Sequence, residues 1–134
     1  LDKKVIDDLQ IKKNYIDSKT KEELEEIKRR IKTYRGGMEP TILTKKYVIL
    51  VDDGIATGYT MNASIKFVNK QNPAKVIVAV PVAPSDFQSK LEDKVDEFIY
   101  LKPIEPYYAI SMHYHEFGQT TDDEVVHILE ENWK

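Results

Sequence analysis

The sequence has 134 residues, 41% of them hydrophobic, and 20 Lys and Arg against 23 Asp and Glu leave a formal charge of −3. That length suits one domain with one modest core, and no basic stripe of the kind that backbone phosphates demand is present, which argues against nucleic acid as the main partner. There is no cysteine, which excludes disulfides and thiolate chemistry. The apolar runs are too short to span a bilayer, and the charged opening LDKKVIDDLQ is no signal peptide. A cytoplasmic protein with no membrane partner is the expectation. Leu1 stands where Met is usual, which suggests a fragment or a processed form.

In chain order, residues 1–16 predict a short amphipathic helix with Leu1, Val5, Ile6 and Leu9 on one side. The stretch TKEELEEIKRRIKTY predicts a second helix, because Leu24, Ile27, Ile31 and Tyr34 recur at helical spacing. Thr20 and Glu23 offer it a capping box, and Glu25–Arg29 and Glu26–Arg30 offer i,i+4 pairs. Gly36 and Gly37 end it. YVILVDD (47–53) then predicts a strand buried on both faces. A helix over about 59–70 presents Met61, Ile65 and Val68. KVIVAVPV (75–82) predicts a second strand, Ser85 and Gln88 cap a short helix to about 93, and VDEFIYL (95–101) predicts a third strand. The segment 102–119 is aromatic and irregular, and Thr121 with Glu124 caps a last helix ending near Trp133. The alternation of strands and helices predicts an α/β fold, a parallel sheet with flanking helices. One domain over 1–134 is expected, with a helical segment at 1–37, a βαβαβ core at 46–101 and an aromatic tail with a helix at 102–134.

The chemistry concentrates in VILVDDGIATGYT (48–60). Ligands of open α/β sheets sit at the carboxyl ends of the strands, where Asp52 and Asp53 fall. Carboxylates only accept hydrogen bonds, so an adjacent pair suits vicinal hydroxyls. The loop GIATGYT lies between this strand and the next helix, so its N–H groups and the positive end of the helix dipole suit an anion. Gly54 and Gly58 allow the turn and close approach of a phosphate, and Thr57 and Thr60 add hydroxyls. Together these features describe a site for a sugar phosphate. A dinucleotide fingerprint fails, because Gly54 and Gly58 do not match G-x-G-x-x-G, and a P-loop lacks its Gly-Lys-Ser/Thr.

This stretch resembles the phosphoribosyl-pyrophosphate (PRPP) motif of type I phosphoribosyltransferases: four hydrophobic residues, two acids and a loop of small residues. YRGG (34–37), VPVAP (80–84) and EPYYAISMHYHEFGQTTDDEV (105–125) extend the likeness to a subfamily of predicted phosphoribosyltransferases with no settled substrate. The resemblance implies that Asp52 and Asp53 bind the ribose 2′- and 3′-hydroxyls. It implies that Gly54, Ala56, Thr57, Gly58, Tyr59 and Thr60 hold the 5′-phosphate, and that Mg²⁺ arrives on the substrate. The reaction implied is phosphoribosyl transfer from PRPP to a nitrogen acceptor. The alternative is a non-catalytic module that binds PRPP or a nucleoside 5′-phosphate, or an inactive fragment. VILVDD also suits a response-regulator receiver, but there the acids fall near the start of the domain and no GIATG loop follows.

The family fold has about five parallel strands and a separate pyrophosphate loop, whereas three strong strands are legible here. The resemblance implies that the chain is the C-terminal part of the core, with an early strand and that loop preceding Leu1. A strand as apolar as YVILV should also be paired on both edges, so a homo-oligomer or a preceding segment is expected to cover it. Tyr107 and Tyr108 are candidate acceptor contacts, and with Tyr114 and Phe117 they either stack on a base or close the edge of the core. His113 and His115 would share a face in a strand, as metal ligands can. No third ligand is spaced nearby, so no metal is assigned to protein side chains.

Overall fold

A computed structural model of the chain describes residues 3–91, 93–105 and 109–132, the side chain of Lys3 excepted. In chain order its elements are α1 (Lys3–Asp8), α2 (Lys13–Arg35), β1 (Tyr47–Val51), α3 (Tyr59–Asn69), β2 (Lys75–Pro84), β3 (Glu97–Ile104) and α4 (Asp122–Asn132), with 3-10 turns at Gln88–Lys90 and Ile110–His113. The chain divides into two compact units, Leu1–Pro40 with Gln119–Lys134, and Thr41–Gly118. Among the described residues, no helix is long and apolar enough to cross a membrane.

The first unit is helical. Its break comes earlier than the sequence predicts: α2 starts at Lys13 and runs 23 residues, so Thr20 lies inside a helix and caps nothing. The cause is legible afterwards. No Gly or Pro lies between Lys13 and Arg35, and Ile16, Thr20, Leu24, Ile27 and Ile31 continue one helical stripe. The chain turns instead around Gln10, at φ 50°. Gly36 ends α2 in the left-handed conformation, φ 53°. Glu26 pairs with both Arg29 and Arg30, while Glu25 pairs with Lys28 rather than Arg29. Arg29 is drawn away by Asp122 of α4, which accepts from its Nη1 at 2.5 Å and from the Tyr34 hydroxyl at 2.5 Å. The Thr121–Glu124 capping box forms as the spacing predicts: Thr121 N–H donates to the Glu124 carboxylate at 2.7 Å, and Glu124 N–H donates to Thr121 Oγ1 at 3.3 Å. No described residue of α2 or α4 is buried.

The second unit holds a three-stranded parallel sheet in the order β1-β2-β3. Both strand pairs are parallel, in line with the α/β reading. Val48 and Leu50 lie in register with Val76 and Val78, and Val78 and Val80 with Phe98 and Tyr100. Strand alternation puts these side chains on one face. Met61 and Ile65 of α3 pack there with Val78, Val80, Phe87 and Leu91 into the core. Full burial of each such side chain contributes about 1.5–3 kcal/mol. The region after β2 forms only a three-residue 3-10 turn, shorter than predicted. β2 runs on to Pro84 and β3 to Ile104, whose side chain is 3% exposed.

The expectation of a strand covered on both faces is corrected for β1. Tyr47, Ile49 and Val51 are 75%, 59% and 73% exposed, and β1 is an edge strand. Alternation explains this: Val48 and Leu50 meet the core, while the odd-numbered residues share an outer face with Ile77, Ala79, Ile99 and Leu101. An apolar run on both alternations records what the strand tolerates. It does not supply the second layer.

Candidate functional site

β1 ends at Val51, and Asp52 and Asp53 follow where the ladder stops. There the backbone leaves the sheet, and two hydrogen bonds set its path. Ile55 N–H donates to the Val82 carbonyl at 2.9 Å, tying the loop to β2. Asp53 N–H donates to Asp52 Oδ1 at 3.0 Å, which fixes the first carboxylate against the backbone. Gly54 is squeezed from two sides: a Cβ added there would lie 2.7 Å from Val82 Cγ2 and 2.9 Å from Ile110 Cγ2. Ile55 is 2% exposed and anchors the middle of the loop in the core.

Gly58 opens α3 at φ 76°, the left-handed region that glycine enters freely. A Cβ there would lie 2.1 Å from Phe87 Cε2, so the loop's second glycine rests directly on a buried ring. Gly58 at the N-cap brings no side chain to cap α3. The first-turn N–H groups of a helix have no acceptor within the helix itself, which gives its amino end a positive character suited to an anion. The Gly58 carbonyl accepts instead from Asn62, through both its backbone N–H and its side-chain amide, each at 2.9 Å.

These pieces enclose one cavity of about 240 Å³. Residues 52–58 form its wall with Thr60, Met61 and Ile110. The structure therefore brings together seven of the eight loop residues singled out by sequence: Asp52, Asp53, Gly54, Ala56, Thr57, Gly58 and Thr60. Tyr59 gives the cavity no wall, and its side chain is 56% exposed. Tyr107 and Tyr108 lie outside the described residues. Burial, and then the negative charge of Asp52, push the Asp53 carboxyl above its usual 3.8. The two acids thus share an environment in which adding negative charge is unfavourable.

Sequence reasoning missed Met61 and Ile110 as wall residues and gave Tyr114 no bond in the site. The Tyr114 hydroxyl donates to the Asp53 carbonyl at 2.6 Å, across 61 residues of sequence. Tyr114 and Phe117 do cluster, with ring centroids 5.2 Å apart. No local pattern announces such a contact; only the position of the tail at the carboxyl end of the sheet hinted at it. His113 Nε2 is shielded from solvent and has no hydrogen-bond partner. Among the described residues, no three His, Asp or Glu side chains gather as a ligand set.

Comparison with known proteins is consistent in direction. The family described as "Phosphoribosyl transferase domain" matches residues 3–112. Two Mycobacterium tuberculosis proteins are similar to this chain, "Putative phosphoribosyl transferase MT0597" of strain CDC 1551 / Oshkosh and "Putative phosphoribosyl transferase Rv0571c" of strain ATCC 25618 / H37Rv. Each is 35% identical over 115 residues, which is 86% of this chain and 26% of the relative. The chain thus spans about a quarter of the length of these curated relatives. The crystal structure of TT1426 from Thermus thermophilus matches with a TM-score of 0.74 at 31% identity, over 88% of this chain and 56% of that one.

Proposed function

The chain belongs to the phosphoribosyl transferase family, and on that premise we propose that its cavity binds the ribose 5-phosphate part of PRPP for transfer to a nitrogen acceptor. The observation that supports this most is the sharing of one cavity by an acid pair and a helix amino end opened by glycine. In this reading Asp52 and Asp53 accept hydrogen bonds from the 2′- and 3′-hydroxyls. The N–H groups of residues 56–60 and the hydroxyls of Thr57 and Thr60 hold the 5′-phosphate. Tyr59 contributes backbone alone.

In the transfer, a nitrogen of the acceptor forms a bond to C1 as the C1–O bond breaks, and pyrophosphate leaves with the electron pair. The chain's own contribution is to position the ribose and to favour positive charge developing beside two carboxylates. Among the described residues the cavity wall holds carboxylates and no Lys or Arg, a donor set that fits a divalent cation brought in by the ligand. Such a cation would neutralise diphosphate charge near Asp52 and Asp53.

A second reading is a binding module that does not turn over. It is favoured by one observation: among the described residues, only the loop after β1 combines glycines with a helix amino end. The open edge of β1 and the exposed outer face of the sheet support a covering partner, a second copy or a preceding segment. A clean monomer in gel filtration with slow exchange over 47–51 would contradict that.

The function is tested by calorimetry with PRPP, with and without Mg²⁺, on the wild type and on Asp52→Asn/Asp53→Asn. Binding that the double variant abolishes supports the site, and equal binding by both chains refutes it. Release of pyrophosphate with a nitrogen acceptor separates the enzyme from the module.

A further inference from the structure

We propose that Tyr114 is a positioning residue for the acid pair, and that the turn 110–114 is a clasp holding the Asp53–Gly54 peptide in the orientation that presents the Asp53 carboxylate to the cavity. The inference rests on the reading of Asp52 and Asp53 as a ribose site.

Asp53 lies beyond the end of β1, so its carbonyl has no strand partner. An unpaired carbonyl here would leave the peptide free to rotate or dependent on water. The Tyr114 hydroxyl takes that place at 2.6 Å. A peptide unit is planar, with its carbonyl and N–H on opposite sides. Holding the Asp53 carbonyl on one side therefore aims the Gly54 N–H to the other. The Gly54 N–H and Asp53's own N–H are the two backbone groups that act on the Asp53 carboxylate. By holding the Asp53 carbonyl, the Tyr114 phenol helps to orient that carboxylate through the backbone.

Two further contacts make this a clasp rather than an isolated bond. Ile110 packs against Gly54 so closely that an added Cβ would lie 2.9 Å from its Cγ2. Ile110 also lines the cavity itself. Tyr114 is backed by the Phe117 ring, with centroids 5.2 Å apart. On the opposite flank the Ile55–Val82 bond and the Val82 side chain hold the turn. The acid pair is thus gripped between β2 and a segment more than fifty residues later in sequence.

The test is Tyr114→Phe in the full chain, which keeps the ring and removes the donor. Ribose 5-phosphate and inorganic phosphate serve as calorimetric probes, and amide exchange at Gly54 and Ile55 is followed without ligand. Loss of one neutral hydrogen bond predicts a three- to tenfold weaker affinity for ribose 5-phosphate, roughly. Phosphate affinity should stay within about twofold, because the α3 amino end is untouched, and exchange at Gly54 should quicken. A general loosening would weaken both probes alike, and that result, or no change in either probe, overturns the proposal. If the wild type binds neither probe, the ribose reading fails on its own. Exchange at Gly54 then decides the clasp: faster in Tyr114→Phe upholds it, and unchanged refutes it.

Discussion

Gly58→Ala is the sharpest test of how the loop is built. Two costs add. The residue sits at φ 76°, where a side chain costs about 1–2 kcal/mol. The new methyl would fall 2.1 Å and 2.4 Å from Phe87 Cε2 and Cζ. That ring is 2% exposed and packs on Phe98 at 6.0 Å between centroids, so it has little room to move. Forcing a methyl into such packing costs about 1–3 kcal/mol. The restricted unfolded chain returns about 0.4–1 kcal/mol. The net expectation is a loss of about 1–4.5 kcal/mol in urea denaturation of the full chain, read by fluorescence and by circular dichroism. A cycle with Phe87→Leu separates the two terms. The smaller side chain should relieve the steric part and leave the backbone part, giving a coupling of about 1 kcal/mol or more. A loss below about 0.5 kcal/mol, or an absent coupling, would refute this account of the ring beneath the loop.

Asp53→Asn tests the strain of the acid pair. The folded chain holds the Asp53 proton more tightly than the unfolded chain, because burial and then Asp52 raise its value above 3.8. Stability from this group therefore declines as pH climbs from 3.8 through the raised value, and Asn should flatten that decline in a series of urea midpoints. Asp122 has the opposite sign. Hydrogen bonds from Arg29 and then Tyr34 hold it below 3.8, so its contribution is present above 3.8 and lost as pH falls through the folded value. Asp122→Asn should remove that acid-side loss and speed amide exchange in α4 at neutral pH. Thr121→Ala should cost about 1 kcal/mol by removing the capping box, seen as faster exchange at Glu124 and Val125 with β2 unaffected.

Legibility in the sequence followed the range of the interaction. The three parallel strands, the helix between the first two and the acid pair could be read because period, strand-end acids and loop glycines are local signals, whereas the helix expected between the second and third strands is only a 3-10 turn. The Thr121–Glu124 cap could be read for the same reason. The Thr20–Glu23 pair had the same spacing and failed, since a cap needs a chain that is not already helical before it. The charged stretch from Lys13 to Thr20 had no residue to break a helix. Tyr114 could not be assigned its partner, because a bond across 61 residues leaves no pattern in either segment. The outer face of β1 was misjudged for a related reason: apolar residues on both alternations do not say which layers lie against them.

The charge of the cavity sets the terms on which any phosphate can enter. Among the described residues, its wall carries two carboxylates and no Lys or Arg. Two unit charges about 6 Å apart repel by roughly 3 kcal/mol at an effective dielectric constant of about 20. A helix amino end offsets only about 0.3–1 kcal/mol where it is exposed. In the proposed reading the loop's donors orient a phosphate there, but they do not balance its charge against both acids. That reading therefore requires a positive charge to enter with the ligand, as a divalent cation or as a proton on the pair. The raised Asp53 value makes the proton route concrete. Without divalent cation, affinity for ribose 5-phosphate should fall as pH climbs through that value, and Mg²⁺ should flatten the fall. Calorimetry across a pH series reads both limbs. An affinity independent of pH and of Mg²⁺ would mean that the carboxylates and the phosphate do not share this cavity.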